Sequence, residues 1–172
     1  MASGDTLFIL LPGNSVPTTT VPATPDIISD TSTVVGVIPV LDFAGATADE
    51  HAEWDVQMPS HYAGTTGMTL EINYAMDGAD GSDVQFEVRA LKIIAGETIT
   101  SEDLQGATAT DITDTPNGTA DVCDVAPPGA IAKASAGTPV AGDYVRIRVS
   151  RDYDHAANAD DAQLIAVYVT ET

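Results

Sequence analysis

Met68-Thr69-Leu70-Glu71-Ile72-Asn73-Tyr74 and Val84-Gln85-Phe86-Glu87-Val88-Arg89-Ala90 alternate apolar and polar residues without a break. A period of two is that of a half-buried β-strand. Between them Asp77-Gly78-Ala79-Asp80-Gly81-Ser82 reads as a hairpin loop. Upstream, Ala52, Trp54, Val56 and Met58 alternate with Glu53, Asp55 and Gln57. Downstream, Val145, Ile147 and Val149 alternate with Tyr144, Arg146 and Arg148. Thr6–Leu11, Val34–Phe43 and Gln163–Thr170 read as further strands, and Pro116-Asn117-Gly118, Pro127-Pro128-Gly129 and Thr138–Gly142 as turns. Helical signals are short, at Ser101–Gln105 and Ala156–Ala162. Many short strands and no long helix predict an all-β fold, a single-domain β-sandwich or jelly roll.

An extended arm precedes this core. Pro12, Pro17, Pro22 and Pro25 punctuate Pro12–Ser32 and make it a poor helix and a poor central strand. The expected division is a strand and Pro/Thr-rich arm over 1–33, then a sandwich over 34–172. Leu7-Phe8-Ile9-Leu10-Leu11 is too apolar to dangle in water, so this strand should dock at a sheet edge, its own or a neighbour's. Leu7–Leu11, Val34–Leu41 and Leu164–Val169 are apolar on both faces. A strand with one wet face does not look like this, so loops or a partner subunit should cover them. Leu7–Leu11 with Pro12, together with Leu164 and Tyr168, are therefore the expected partner-binding residues, and Arg146 and Arg148 join them as rare cations on an acidic surface.

The chain has 172 residues and 44% hydrophobic composition, enough to bury a core without metal or disulfide. Six Lys+Arg against 26 Asp+Glu give a net charge of −20. Such a surface repels nucleic acid and anionic membranes. The first cation is Arg89, so Met1–Asp5 lacks the basic start of a secretory signal, and Leu7–Leu11 is too short to cross a bilayer. Cys123 is the sole cysteine. These features fit synthesis in cytoplasm without a signal peptide.

Short catalytic signatures such as G-x-S-x-G, H-E-x-x-H or C-x-x-C do not occur. His51, His61 and His155 stand at no ligand spacing, and Ser60 and His61 point to opposite faces of any strand that holds both. Cys123 is expected to be a small buried hydrophobe in a strand. Asp77, Asp80 and Asp83, and Asp152, Asp154, Asp160 and Asp161, fit solvated turns, with a bound calcium as the alternative. Trp54 and Tyr74 share faces with core residues. Tyr144 and Tyr153 are left as candidate exposed aromatics, a thin platform for a sugar. Arg89, Arg146 and Arg148 lie on polar strand faces, as do Glu71 and Glu87, which predicts ion pairs within a sheet. The residues thus predict no enzyme, no cofactor and no metal.

Several stretches resemble a family of small, acidic virion proteins of tailed phages. They are Met1-Ala2-Ser3-Gly4-Asp5-Thr6-Leu7, Pro39-Val40-Leu41-Asp42-Phe43, Met58-Pro59-Ser60-His61-Tyr62-Ala63-Gly64 and Val145-Arg146-Ile147-Arg148-Val149-Ser150-Arg151-Asp152, with the closing strand Leu164–Thr172. The chain departs from the family in its long arm and in 111–133. The resemblance implies a capsid decoration, or cement, protein: a jelly-roll homotrimer on the outer capsid surface, whose partner is the major capsid protein. A receptor- or carbohydrate-binding virion module, a head fibre or tail adhesin, is the alternative.

Overall fold

The computed structural model describes residues 4–16, 21–29, 36–44, 49–96, 104, 107–154, 157 and 159–172. The chain forms eleven strands among these residues: β1 (Thr6–Leu10), β2 (Thr24–Ser29), β3 (Val37–Phe43), β4 (His51–Gln57), β5 (Gly67–Met76), β6 (Val84–Ile93), β7 (Thr110–Asp114), β8 (Asp124–Val125), β9 (Gly129–Ala132), β10 (Tyr144–Arg151) and β11 (Ala162–Glu171). A 3₁₀ turn, Pro12–Asn14, follows β1. The alternating runs of the sequence all became strands. Residues 34 and 35, the start of one expected strand, lie outside the described residues, as does His155. Of the two helical candidates, Ser101–Gln105 falls outside them except for residue 104, while Ala156–Ala162 is corrected: its described residues 157 and 159–161 are loop and Ala162 begins β11.

The strands make two antiparallel sheets. The first runs β2-β3-β11-β5-β8, with β1 also on β11 and β9 also on β5; the second runs β4-β10-β6-β7. β3 and β1 divide one edge of β11 between them: Leu41 faces Leu164, while Leu10 faces Val167. A bulge between Leu164 and Ala166 separates the two zones. The first strand therefore docks on its own sheet. Gly67 lets β9 close on β5: its φ is +143°, and a Cβ there would collide with the Ile131 carbonyl.

The core lies between the sheets. Met68, Leu70, Ile72 and Tyr74 of β5 meet Val84, Phe86, Val88 and Ala90 of β6, all fully buried. Tyr74 and Phe86 pack edge to face, ring centroids 5.1 Å apart. The Tyr74 hydroxyl donates to Asp114 Oδ2 at 2.8 Å, so its polar end is satisfied without leaving the core. Trp54 is buried too, and its indole N–H donates to the Leu11 carbonyl at 3.0 Å. The fold is a β-sandwich of jelly-roll kind.

The arm is largely surface structure. β2 is exposed along most of its length and pairs with β3 from Thr24↔Asp42 to Ser29↔Val37. Val16 and Ala23 hydrogen-bond the β4 carbonyls of Glu53 and His51. Pro12 and Ala23 reach the buried interior.

Cys123 corrects one expectation. It is exposed and sits in the irregular link between the turn at 120–121 and β8, not in a strand. β8 has two residues only, and Asp121 at φ 58° bends the chain just before it. Val122 and Val125 are exposed alongside, so the apolar run covers no core.

Candidate functional site

Charge on the second sheet is organised by strand register. On the outer face of β4-β10-β6, one cross-strand row is Glu53–Arg148–Arg89 and the next is His51–Ser150–Glu87. Arg146 faces Asp55 and binds it bidentately, Nε to Oδ1 at 2.7 Å and Nη2 to Oδ2 at 2.8 Å. Arg148 Nε donates to Glu53 Oε1 at 2.8 Å. Arg89 Nη2 donates to both Glu87 oxygens at 2.8 Å, and Nη1 to the Leu104 carbonyl at 3.2 Å. These arginines find their anions within the sheet, as the alternation implied. Glu71 is not among the partners, because β5 belongs to the other sheet and Glu71 stands opposite Tyr168.

Val21 and Asp49 wall a cleft over these two rows, of about 170 Å³. His51 forms part of its lining and is 6% exposed. Burial, then the charge of Arg148, holds its imidazole below the usual histidine pKa. The ring bonds the backbone of Asp49, while Nε2 is buried and has no hydrogen-bond partner.

A larger apolar groove of about 550 Å³ opens beside β2, β3 and the start of β4. Pro12, Pro22, Pro25 and Pro39 line it with Val16 and Leu41. Next to it, Ile27, Val37 and Ile38 expose 54%, 64% and 44% of their surface on β2 and β3.

The expected partner-binding residues separate in space. Leu7, Leu10 and Leu164 are buried in the core, Pro12 is buried, and Phe8 packs against the core. Ile9 and Tyr168 stand opposite one another in the β1–β11 ladder and both are exposed, as is Leu11. Arg146 and Arg148 lie on the second sheet. Of the candidate aromatics, Tyr144 is exposed and Tyr153 half-buried. Sequence reasoning missed His51, Ser150 and the exposed Ile27, Val37 and Ile38. Only register could have found the first two, since they lie a hundred residues apart and meet across one ladder rung.

The acidic loops also meet. Asp161 N donates to Asp77 Oδ1 at 2.8 Å, and Asp80 N to Asp160 Oδ2 at 2.9 Å. Arg151 is fully buried beside them and donates to the Phe43 carbonyl at 3.1 Å. Among the described residues no group of three or more His, Cys, Asp and Glu side chains is arranged to hold a metal ion. No helix among them is long and apolar enough to cross a membrane.

No known protein family matches the chain, and no curated protein sequence does. Solved structures match in shape. The chain is similar to part of an exo-β-1,3-galactanase from Phanerochaete chrysosporium crystallised with β-1,3-galactotriose, at TM-score 0.53 and 14% identity, over 98% of this chain and 30% of that one. The same enzyme with galactose gives TM-score 0.51, 14% identity and the same two coverages, 98% and 30%. A carbohydrate esterase from a Shiga toxin-encoding bacteriophage is similar over 98% of this chain and 99% of its own, at TM-score 0.41 and 11% identity. The chain thus spans about 30% of the galactanase's length. At 14% identity the likeness to the galactanase defines a fold class alone, the antiparallel β-sandwich.

Proposed function

We propose that this protein is a non-enzymatic component of a tailed-phage particle, a decoration protein that seats on the outer capsid surface and clamps neighbouring subunits of the major capsid protein. The observation that carries the proposal is the exposed apolar stretch where β2 and β3 pair, Ile27 and Val37 on one face of the sheet and Ile38 on the other, beside the proline-lined groove, on a chain with 26 acidic residues. An exposed edge strand is a template for pairing with another chain; Pro25 and Asp26 blunt the first half of β2 and leave Ile27, Ile28 and Ser29 as the stretch open to pairing. β2 has its outer hydrogen-bonding edge available among the described residues, so a capsid strand adds there by β-augmentation. Binding free energy then adds to shell stability by mass action. The net charge of −20 keeps the outer surface from sticking non-specifically. The assembly expected on the capsid is a homotrimer, and the site of action is the virion.

The test is reloading of particles stripped of the protein. Wild type should rebind and raise the temperature of capsid rupture. A variant with Ile27, Val37 and Ile38 all changed to Asp should keep its β-sheet spectrum and lose rebinding. Normal rebinding by that variant, or no rebinding by wild type, refutes the proposal.

A further inference from the structure

A polar cleft lies over the second sheet, apart from the apolar groove. We propose that it holds one sugar residue of an uncharged glycan. This goes beyond the decoration reading and does not depend on it.

The floor of the cleft is a grid of side chains from three neighbouring strands. His51, Ser150 and Glu87 form one rung, and Arg148 and Arg89 stand in the next. Same-face residues along a strand are spaced by about 7 Å, and three strands span about 10 Å. A pyranose ring fits that footprint, and a cleft of about 170 Å³ has room for a single ring.

The chemistry of the lining selects the class of ligand. The lining mixes two guanidinium groups already paired with Glu87 and Glu53, the Glu87 and Asp49 carboxylates with their remaining lone pairs, and the Ser150 hydroxyl, which both donates and accepts. A polyol presents the same mixture, each hydroxyl being donor and acceptor at once. Free anions are disfavoured, because Glu87 and Glu53 already face the arginines and the whole chain carries −20. Free cations meet the two arginines.

His51 is the second, independent sign of a ligand. Its alternation with inward-facing Ala52 puts it on the outer face, and the charges that act on it, Arg148, Glu53 and Asp49, are those of the cleft region. With the other ring nitrogen committed to the Asp49 backbone, Nε2 is left as a covered acceptor without a partner, on a ring that lines both this cleft and the apolar groove. A buried polar atom without a partner is destabilising, and it is rarely left so without reason. Nε2 is itself covered, so a ligand hydroxyl completes it only by displacing the side chains that cover it. No Phe, Tyr or Trp stands among the described lining residues for a sugar to stack on, so single-site affinity should be weak, near the millimolar range, and effective only in multivalent display.

The experiment is a nuclear magnetic resonance titration of the full soluble chain, labelled with nitrogen-15, against galactose, glucose, mannose, arabinose and N-acetylglucosamine. Galacturonate and inorganic phosphate serve as charged probes. At least one neutral sugar should shift the His51 Nε2 signal in the direction of an accepted hydrogen bond and move amides of 49–53, 85–89 and 148–151. Its dissociation constant should rise about tenfold in His51→Leu, the equivalent of a lost hydrogen bond, and several-fold in the milder Ser150→Ala. Tyr168→Ala, on the other sheet, should change nothing. Unmoved cleft signals with every neutral sugar, binding unaltered in both variants, or binding of the charged probes alone would each overturn the assignment.

Discussion

Replacing Asp42 with asparagine should stabilise the protein at neutral pH and leave it almost unchanged in acid. Asp42 sits on β3 directly opposite Gln163 of β11, and its Oδ1 is buried with no hydrogen-bond partner. Burial first, then the nearby charges of Asp161, Asp77, Asp26 and Glu50, push its pKa up from 3.8 to about 6. The folded state therefore holds this proton more tightly than the unfolded state does. Stability is unaffected below about pH 4, declines as pH rises to about 6, and is level above that. The difference between 3.8 and about 6 corresponds to about 3 kcal/mol. Partial exposure to solvent reduces this to about 1–2 kcal/mol. Asparagine keeps the shape, cannot ionise, and offers a donor toward Gln163 Oε1, the unpartnered acceptor across the ladder. In a chain of this size the gain should appear as a rise of about 2–8 °C in Tm at pH 8. Thermal unfolding of wild type and D42N in low salt, at pH 4 and pH 8, measures it. An equal gain at both pH values would show that ionisation is not the cause. A D42N variant no more stable than wild type at pH 8 would refute the reasoning outright.

Wild type itself should be most stable below neutral pH in low salt; Asp49 and Asp77 are also raised by burial, so they act in the same direction as Asp42. A Tm that falls steadily from pH 8 to pH 5 would contradict this. Leu164→Ala should cost about 2–5 kcal/mol in urea unfolding, because the side chain is fully buried where β3 and β11 pair; a loss under 1 kcal/mol would mean the site collapses around the gap. Cys123 should react stoichiometrically with a thiol reagent in native protein, since it is exposed, and labelling that requires denaturant would place it elsewhere. Deleting residues 1–14 removes buried Leu7 and Leu10 along with the ladder on β11, and should lower stability by at least about 3 kcal/mol, read from the urea midpoint.

Alternation alone was enough to place β4, β5, β6 and β10 and to say which side chains of each turn inward. A period of two is local geometry: Val84, Phe86 and Val88 must share a face whatever surrounds them. The same rule sent Trp54 to the core and Arg146 and Arg148 outward. It was silent where a strand is apolar throughout. Nothing in Leu7-Phe8-Ile9-Leu10-Leu11 says that Leu10 turns into the core while Ile9 faces solvent, because that depends on β1 taking the half of the β11 edge that β3 leaves open. Cys123 was misplaced for a related reason: an apolar residue next to valines looks like strand until the turn at Asp121 and the shortness of β8 are known. The candidate sites lay further out of reach. His51, Glu87 and Ser150 come from three separate strands and become neighbours only through a shared register, and the proline-lined groove exists because Pro12, Pro22, Pro25 and Pro39 converge after folding. Composition and periodicity are properties of residues close in the chain, so they determined the sheet-forming character and the acidic surface. Which strands pair, and in what register, is decided by contacts between distant segments that must all be satisfied together.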